Sequence, residues 1–354
     1  MGKSTKVRPH LLTRSICPEN QETPIHFLAN DITPTSYFYR RNHFSYPNLT
    51  THFFCLPIEG SVYVPRIFTY QELLALPSKT IKIVLECAGN KRALFHPNTY
   101  GEQWKEGAIG QAYWKGVSLT TLLQYTGVHH SAREVVVEGY DTGPRTDMEG
   151  TFRYVRSLPL HKALHPDTII AYELNGRPIP YKHGYPLRLL VPQWYAMASV
   201  KWIKKITVID DTFQGPFQTT DYVYYPHKNN DVGKHPVTTM NSNSTIQQPL
   251  HLSTLSQGAH LIKGIAWTGE GTITAVDISI DNGHTWLPAS LQQNSAEPYS
   301  WVRWSFRWHA EKKGEYTLLS RATDSLGRVQ PPIAVWNRKG YGYNALCMTK
   351  VKIE

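Results

Sequence analysis

A single thiol, that of Cys87, stands where a strand gives way to a turn. The run Ile81-Lys82-Ile83-Val84-Leu85-Glu86 is apolar and β-branched, and Ala88-Gly89-Asn90 breaks it. A side chain at a strand end can face a ligand without the backbone moving. Lys91 and Arg92 follow within a few residues and would favour the thiolate over the thiol. A thiolate is a soft metal ligand and a good nucleophile. The plainer reading of Cys87 is a buried small apolar residue, the usual state of a free cysteine. Three further clusters carry anion-binding groups: Tyr39-Arg40-Arg41-Asn42-His43, Tyr181-Lys182-His183-Gly184-Tyr185-Pro186-Leu187-Arg188, and Ala198-Ser199-Val200-Lys201-Trp202. Arginine grips a phosphate through two parallel hydrogen bonds, lysine adds a point charge, and His, Ser and backbone N–H groups complete a cradle. Taken singly, each is more often a solvated basic face. Asp221-Tyr222 sets a phenol beside a carboxylate, which alone carries little.

The elements that must position these groups follow from the pattern of the whole chain. Its 354 residues can bury a large core and suggest two domains. A net charge of +10 favours anionic partners. The bases are scattered and no nucleic-acid motif is present, so a small anion or phosphate in a local basic pocket is expected. The four cysteines, Cys17, Cys55, Cys87 and Cys347, form no C-x-x-C pair, haem motif or zinc pattern. Met1-Gly2-Lys3-Ser4-Thr5-Lys6 lacks an apolar export core, and no run is long and apolar enough to span a membrane. The expectation is a cytoplasmic protein, or an exported one if the N-terminus has been processed.

Residues 1–35 read as a polar extension that wraps the surface. From 36 to 235, strands at 62–64, 81–85, 135–137, 187–191 and 203–209 alternate with helices at 70–76 and 119–125, an α+β unit around mixed sheets. Residues 226–249 are rich in Pro, Asn, Ser and Thr, and Asn241-Ser242-Asn243-Ser244-Thr245 reads as a linker. From 246 to 354 the pattern is all-β. Val276, Ile278 and Ile280 alternate with polar residues, as do Val302, Trp304, Phe306 and Trp308, and Asn282-Gly283 suits a type I′ hairpin turn. This describes an immunoglobulin-like sandwich.

In this order and spacing the clusters resemble the sulfite oxidase family of molybdopterin enzymes. Arg41-Asn42-His43 resembles the family's R-N-H segment. Glu86-Cys87-Ala88-Gly89-Asn90 resembles its E-C-A-G-N signature. The stretch Gly107-Ala108-Ile109-Gly110-Gln111-Ala112-Tyr113-Trp114-Lys115-Gly116-Val117 resembles its G-A-x-G-x-A-x-W-x-G-V. The stretch from Tyr172-Glu173-Leu174-Asn175-Gly176 to Arg188 resembles its Y-E-x-N-G-x-P-x-P-x-x-H-G-x-P-x-R, and Ser199-Val200-Lys201-Trp202 its S-V-K-W. The likeness spans about residues 36 to 350.

The resemblance implies roles. Cys87 would ligate molybdenum. Arg41, His43, His183, Arg188, Ser199 and Lys201 would hold the molybdopterin and its phosphate, and Asp141, after the strand at 135–137, would contact the pterin. Tyr222 would be the active-site tyrosine. Arg92 and Arg41 would serve the substrate pocket, together with Lys339, which stands in Trp336-Asn337-Arg338-Lys339-Gly340-Tyr341 where the family has an arginine. Lysine keeps the charge and loses the bidentate fork. Gln193-Trp194-Tyr195-Ala196-Met197 and Lys91 also depart from the family pattern. The implied reaction is oxidation of the small oxyanion sulfite to sulfate, with electrons passing to a separate acceptor (a cytochrome, another carrier or oxygen), since no haem motif is present. The C-terminal sandwich implies a homodimer. The alternatives are the same cofactor acting on nitrate, a sulfoxide or a carrier-bound sulfur compound, and a non-catalytic anion-binding or adhesion sandwich.

Overall fold

The computed structural model describes residues 11–49, 54–292 and 297–354, so the N-terminal hexapeptide read above lies outside the described residues. Two five-stranded sheets build the first part of the chain. One runs in the order 177–178, 169–174, 109–118, 78–86, with 188–190 also paired to 169–174. The other runs 66–69, 55–60, 203–209, 134–144, 151–159, and is mixed, because Ile203–Ile209 is parallel to Cys55–Gly60 and antiparallel to Glu134–Pro144.

The strand Ser78–Glu86 explains the unbroken apolar run. Ile83, Leu85 and Cys87 pack into one core with Phe38, Tyr39 and Trp114, while Val84 packs into a second core with Val117 and Ile170. A strand buried on both faces needs no polar alternation. Short helices Tyr70–Ala75, with a Thr69–Glu72 capping box, and Leu119–Thr126 lie where expected. Residues 62–64 form no strand. Val62 makes an isolated bridge to Val128, and Tyr63 and Val64 are exposed, so β-branched content there outran the pairing available.

The C-terminal part stacks a four-stranded sheet (243–248, 258–267, 302–310, 290–292) on a five-stranded one (253–255, 348–353, 314–324, 273–279, 287–288). Ile246, Ile262 and Trp304 from the first meet Val276, Ile278, Leu318 and Val351 from the second. Residues 241–245 are not a linker. Asn243–Gln248 is a strand whose first five residues are buried, paired to Gly258–Trp267. Its polar groups are consumed by buried partners: Asn243 Oδ1 and the Ser244 carbonyl accept from Lys91 Nζ, and Ser244 Oγ bonds Ser320 Oγ. At 282–283 both residues have positive φ, as a type I′ turn requires. The flanking strands Ile273–Ser279 and Leu287–Pro288 nevertheless leave a longer loop, in which Asp281 accepts from Ser279 and Thr285.

From residue 11 onward the polar extension is an integral layer. The hairpin of Leu12–Ile16 and Glu19–Glu22 joins the body through the Gln21–Arg40 bridge, the Thr23 N–H to Gly107 carbonyl bond of 3.0 Å, and the fully buried Leu28. Among the described residues no helix is long and apolar enough to cross a membrane.

Candidate active site

The turn after Ser78–Glu86 is held from several sides. Cys87 N–H donates to the Ala108 carbonyl at 2.9 Å, and Asn90 N–H to the Cys87 carbonyl at 2.8 Å. Asn90 donates to Glu86 and accepts from Ala108 N–H. Trp267 Nε1 donates to the other oxygen of Glu86 at 2.8 Å. Glu86 and Asn90 are thus the braces of the E-C-A-G-N turn. Burial raises the Glu86 carboxyl to about 7, against the pull of those two donors. Lys91 is not beside the thiol as expected. At positive φ it turns into the interface with the C-terminal sandwich and is fully buried.

Cys87 forms part of the wall of a deep, partly open cavity. Residues far apart in the chain converge there: Arg41, His43, Asp141, His183, Arg188, Ser199, Lys201 and Tyr222, with Tyr39, Arg40, Lys182 and Tyr154. Asp141 lies inside the strand Glu134–Pro144 rather than after it. The register breaks between Glu138 and Thr142, and such a bulge re-aims the side chains within it. Gly184, at φ +111°, lets the turn close over the Arg188 and Lys201 stems, because a Cβ there would lie 3.0 Å from Lys201 Cβ and 3.1 Å from Arg188 Cβ.

Arg40 and Lys182 of this cavity pair with Glu19, whereas Arg41, Arg188 and Lys201 are held mainly by neutral oxygens. Arg188 donates to the carbonyls of His183 (3.0 Å) and Ser199 (3.3 Å) and sits 4.8 Å over the Trp114 ring. Lys201 Nζ donates to the Arg41 carbonyl at 2.9 Å and to Asn42 Oδ1. Arg41 donates to the Asn42 carbonyl and lies 3.2 Å from His43 Nδ1. His43 Nε2 and the Tyr222 hydroxyl share a 2.7 Å hydrogen bond, and Tyr222 stacks on Tyr341.

Burial dominates the titrations here. It pushes the Cys87 thiol up, although Arg41 and Arg92 favour the thiolate. The imidazoles of His43 and His183 fall well below their usual range through burial and the surrounding cations. Burial lowers Arg188 to about 10. It raises the Asp141 carboxyl and lowers the Lys201 ammonium, and each partner's charge opposes the other's shift.

Arg41 and His43 also border an open vestibule lined by Arg14, Arg92, Arg145, Glu102, Asp147, Asp221, Lys339 and Tyr341. Arg92 is clamped by backbone: Nε donates to the carbonyls of Lys339 (3.0 Å) and Gly340 (3.2 Å), and Nη1 to Glu102 (3.1 Å). Gly89 is open enough for the guanidinium to lie where its Cβ would be, 2.7 Å away. Lys339 Nζ reaches Asp221 at 2.7 Å, whereas Arg338 turns outward to Asp231.

Every candidate site residue thus lines one of these two spaces, which share Arg41 and His43. Sequence reasoning missed Arg14, Arg145, Tyr154 and Tyr341. Arg14 comes from the extension and Arg145 from a turn, and neither sits in a recognisable pattern. An anionic, phosphate-bearing group fits the cavity. Arg188 Nε, Arg40 Nε and Asp141 Oδ1 are buried with no hydrogen-bond partner, and a thiol stands in the same wall as a soft ligand.

The chain matches the oxidoreductase molybdopterin binding domain over residues 43–217 and the Mo-co oxidoreductase dimerisation domain over residues 234–354. It is 32% identical to mitochondrial sulfite oxidase of Rattus norvegicus across 98% of this chain and 66% of that protein, so it spans just under two-thirds of that relative's length. It is 31% identical to sulfite oxidase of Arabidopsis thaliana, across 94% of this chain and 91% of the relative. An inducible NADH nitrate reductase of Glycine max also matches, at 30% identity over 95% of this chain and 41% of that protein. The crystal structure of the sulfane dehydrogenase SoxCD from Paracoccus pantotrophus superposes with a TM-score of 0.83 at 27% identity, covering 98% of this chain and 92% of that one. With a cysteine in a cation-lined cavity and a relative matched almost end to end, the chain belongs to the sulfite oxidase family of molybdopterin-binding oxidoreductases.

Proposed function

We propose that this protein oxidises sulfite to sulfate at a molybdenum–molybdopterin group and passes the electrons to a separate acceptor. The observation that carries the reading is the convergence of the Cys87 thiol, the anion-holding groups and Tyr222 on one cavity that shares Arg41 and His43 with a basic vestibule. Overall, sulfite and water give sulfate, two protons and two electrons. The bound group supplies the oxygen-atom and two-electron chemistry.

The chain's own residues do the rest. The Cys87 thiolate would hold the metal. Arg188, Lys201, His183, Ser199, Arg41 and His43 would hold the pterin and its phosphate, and Asp141 offers an acceptor. Burial keeps His43 neutral and Tyr222 protonated near neutral pH, so one proton is held between the phenol oxygen and the imidazole. Arg92 and Arg41 set fixed positive charge where a doubly charged anion must arrive, and fixed charge needs no reorganisation when the anion enters. Lys339 adds a point charge where a forked guanidinium would grip two oxygens at once. The dimerisation-domain match supports a homodimer formed through the C-terminal sandwich.

Nitrate is the second reading, supported by the nitrate reductase relative. Metal analysis of protein made in a molybdenum-replete host tests the cofactor, with about one molybdenum per chain expected. Sulfite-dependent reduction of an artificial acceptor, run beside nitrate, sulfoxide and sulfane-sulfur assays, tests the substrate. Loaded enzyme that turns over nitrate and not sulfite overturns the first reading.

A further inference from the structure

Asp221 is the vestibule carboxylate that the proposed reaction leaves unused. Its two oxygens each accept a charge-assisted hydrogen bond: Oδ1 from Lys339 Nζ at 2.7 Å and Oδ2 from Arg145 Nη1 at 2.7 Å. Arg145 is fixed on its other edge by Asp147, through Nε at 3.0 Å and Nη2 at 2.7 Å, and lies 4.8 Å over the Phe217 ring. Phe217 in turn packs 4.6 Å from His43. The Asp221 side chain is 15% exposed and that of Arg145 is 7% exposed, so the arrangement is a partly enclosed part of the wall rather than a freely solvated surface pair.

A carboxylate bridging two cations has the geometry of a bound oxyanion, with two oxygens receiving donors from two sides. We propose that Asp221 is an internal competitor for the oxyanion, occupying the Arg145 and Lys339 donors and thereby setting both affinity and charge selectivity in the vestibule. This rests on the reading of the vestibule as the route of an anionic substrate. Arg92, held by carbonyls alone, keeps its charge for an incoming anion, whereas Arg145 and Lys339 share theirs with Asp221. The repulsion between Asp221 and an anion scales with the anion's charge. Asp221 therefore penalises a dianion more than a monoanion and narrows the preference for sulfate over nitrate.

The test is isothermal titration of the metal-loaded protein with inorganic sulfate and with nitrate, in low-chloride buffer, for wild type, D221N and D221S. Thermal unfolding reports whether each variant is folded. Either folded variant is expected to bind sulfate about threefold or more tightly than wild type, with a nitrate gain about half as large on a logarithmic scale. Adding K339Q to the variant should remove most of the gain. Unchanged or weaker sulfate binding in a folded variant overturns the proposal, and so does an equal gain for the two anions. Failure of sulfite turnover with the sulfate response intact counts against the proposed reaction and leaves this inference standing.

Discussion

The enclosed cavity and the open vestibule hold the same kinds of cation and dispose of their charge differently. In the cavity Arg41, Arg188 and Lys201 bond to backbone carbonyls, an amide and a histidine, and no ion pair forms on them among the described residues. A carbonyl holds a guanidinium in place without cancelling its charge. In the vestibule Arg92 is held by carbonyls, but Arg14 pairs with Glu22, Arg145 with Asp147 and Asp221, and Lys339 with Asp221. Those charges are already answered from within. The first arrangement suits a resident anion that completes a permanently built site. The second suits an anion that comes and goes, because its arrival exchanges one partner for another at small net cost.

The largest effect should follow from Cys87→Ser. Among the described free cysteines, Cys17, Cys55 and Cys347 do not line the cavity, so none can take over. Turnover per chain should fall more than about 100-fold, beyond the usual loss for a group that only supports a metal ligand. Retained turnover at normal metal content would remove the central role of the thiol. Arg188→Met separates binding from stability. It removes a buried charge that no carboxylate neutralises, so molybdopterin content should drop by about tenfold or more. The cofactor-free protein should be no less stable, and up to about 1–4 kcal/mol more stable, as when other buried charges are replaced by apolar groups. Cofactor content by fluorescence of the oxidised pterin and denaturant melts of the empty protein read the two halves.

What the amino-acid order made legible was chemistry that is contiguous. Cys87 and the basic triplets sit at strand ends and turns, so their residue types and the breaks around them announce themselves. Ile203–Ile209 and the alternating strands of the sandwich were readable for the same reason. The linker misreading comes from equating polarity with exposure. Asn241 to Thr245 resemble a linker only if their polar atoms face water, and here Ser242 to Thr245 are buried against Lys91, Ser320, Asp324 and Glu106. Lys91 looked like a neighbour of the thiol because it is four residues away, yet its positive φ swings it to the far side. Arg145 was hidden in the loop whose place is set by pairing with Thr151–Pro159. Tertiary contact decides these, and no local pattern encodes it.

A smaller effect separates the two regions by pH. His43 and His183 lie far below the usual imidazole value in the folded protein. The unfolded chain binds protons on them from about pH 6.5 downward while the native state does not, so stability falls as pH drops below that point. At pH 5.5 each histidine should cost about 1.4 kcal/mol. Asp141 and Glu86, both raised by burial, work in the opposite direction below about pH 6 and about pH 7 and offset much of that loss. His183→Gln should remove that residue's share of the pH dependence, so that stability gains on wild type as pH falls from about 6.5 to 5. Parallel slopes for wild type and His183→Gln would show that the enclosed imidazole is not held neutral.

The smallest effect is ionic strength, and it bears most directly on the difference between the two spaces. Screening acts on charges that face solvent and only weakly on enclosed ones, and the screening length shrinks from about 14 Å at 0.05 M salt to about 4 Å at 0.5 M. The vestibule is open, and Lys339 is 27% exposed on its side chain. The cavity's Arg188 is buried, and its charge is fixed against His183 and Ser199 carbonyls. Over that range of salt, the Michaelis constant for sulfite should rise by about two- to fivefold, because the anion's approach is screened. Turnover at saturation and cofactor content should stay level, because the enclosed charges are not. The choice of salt matters, since chloride would also compete for Arg92 whereas a bulky organic anion would only screen. Equal rises with both anions assign the effect to screening in the open space. A parallel loss of cofactor would mean that the cavity is solvated too, and the distinction between a built-in site and an exchangeable one would not survive.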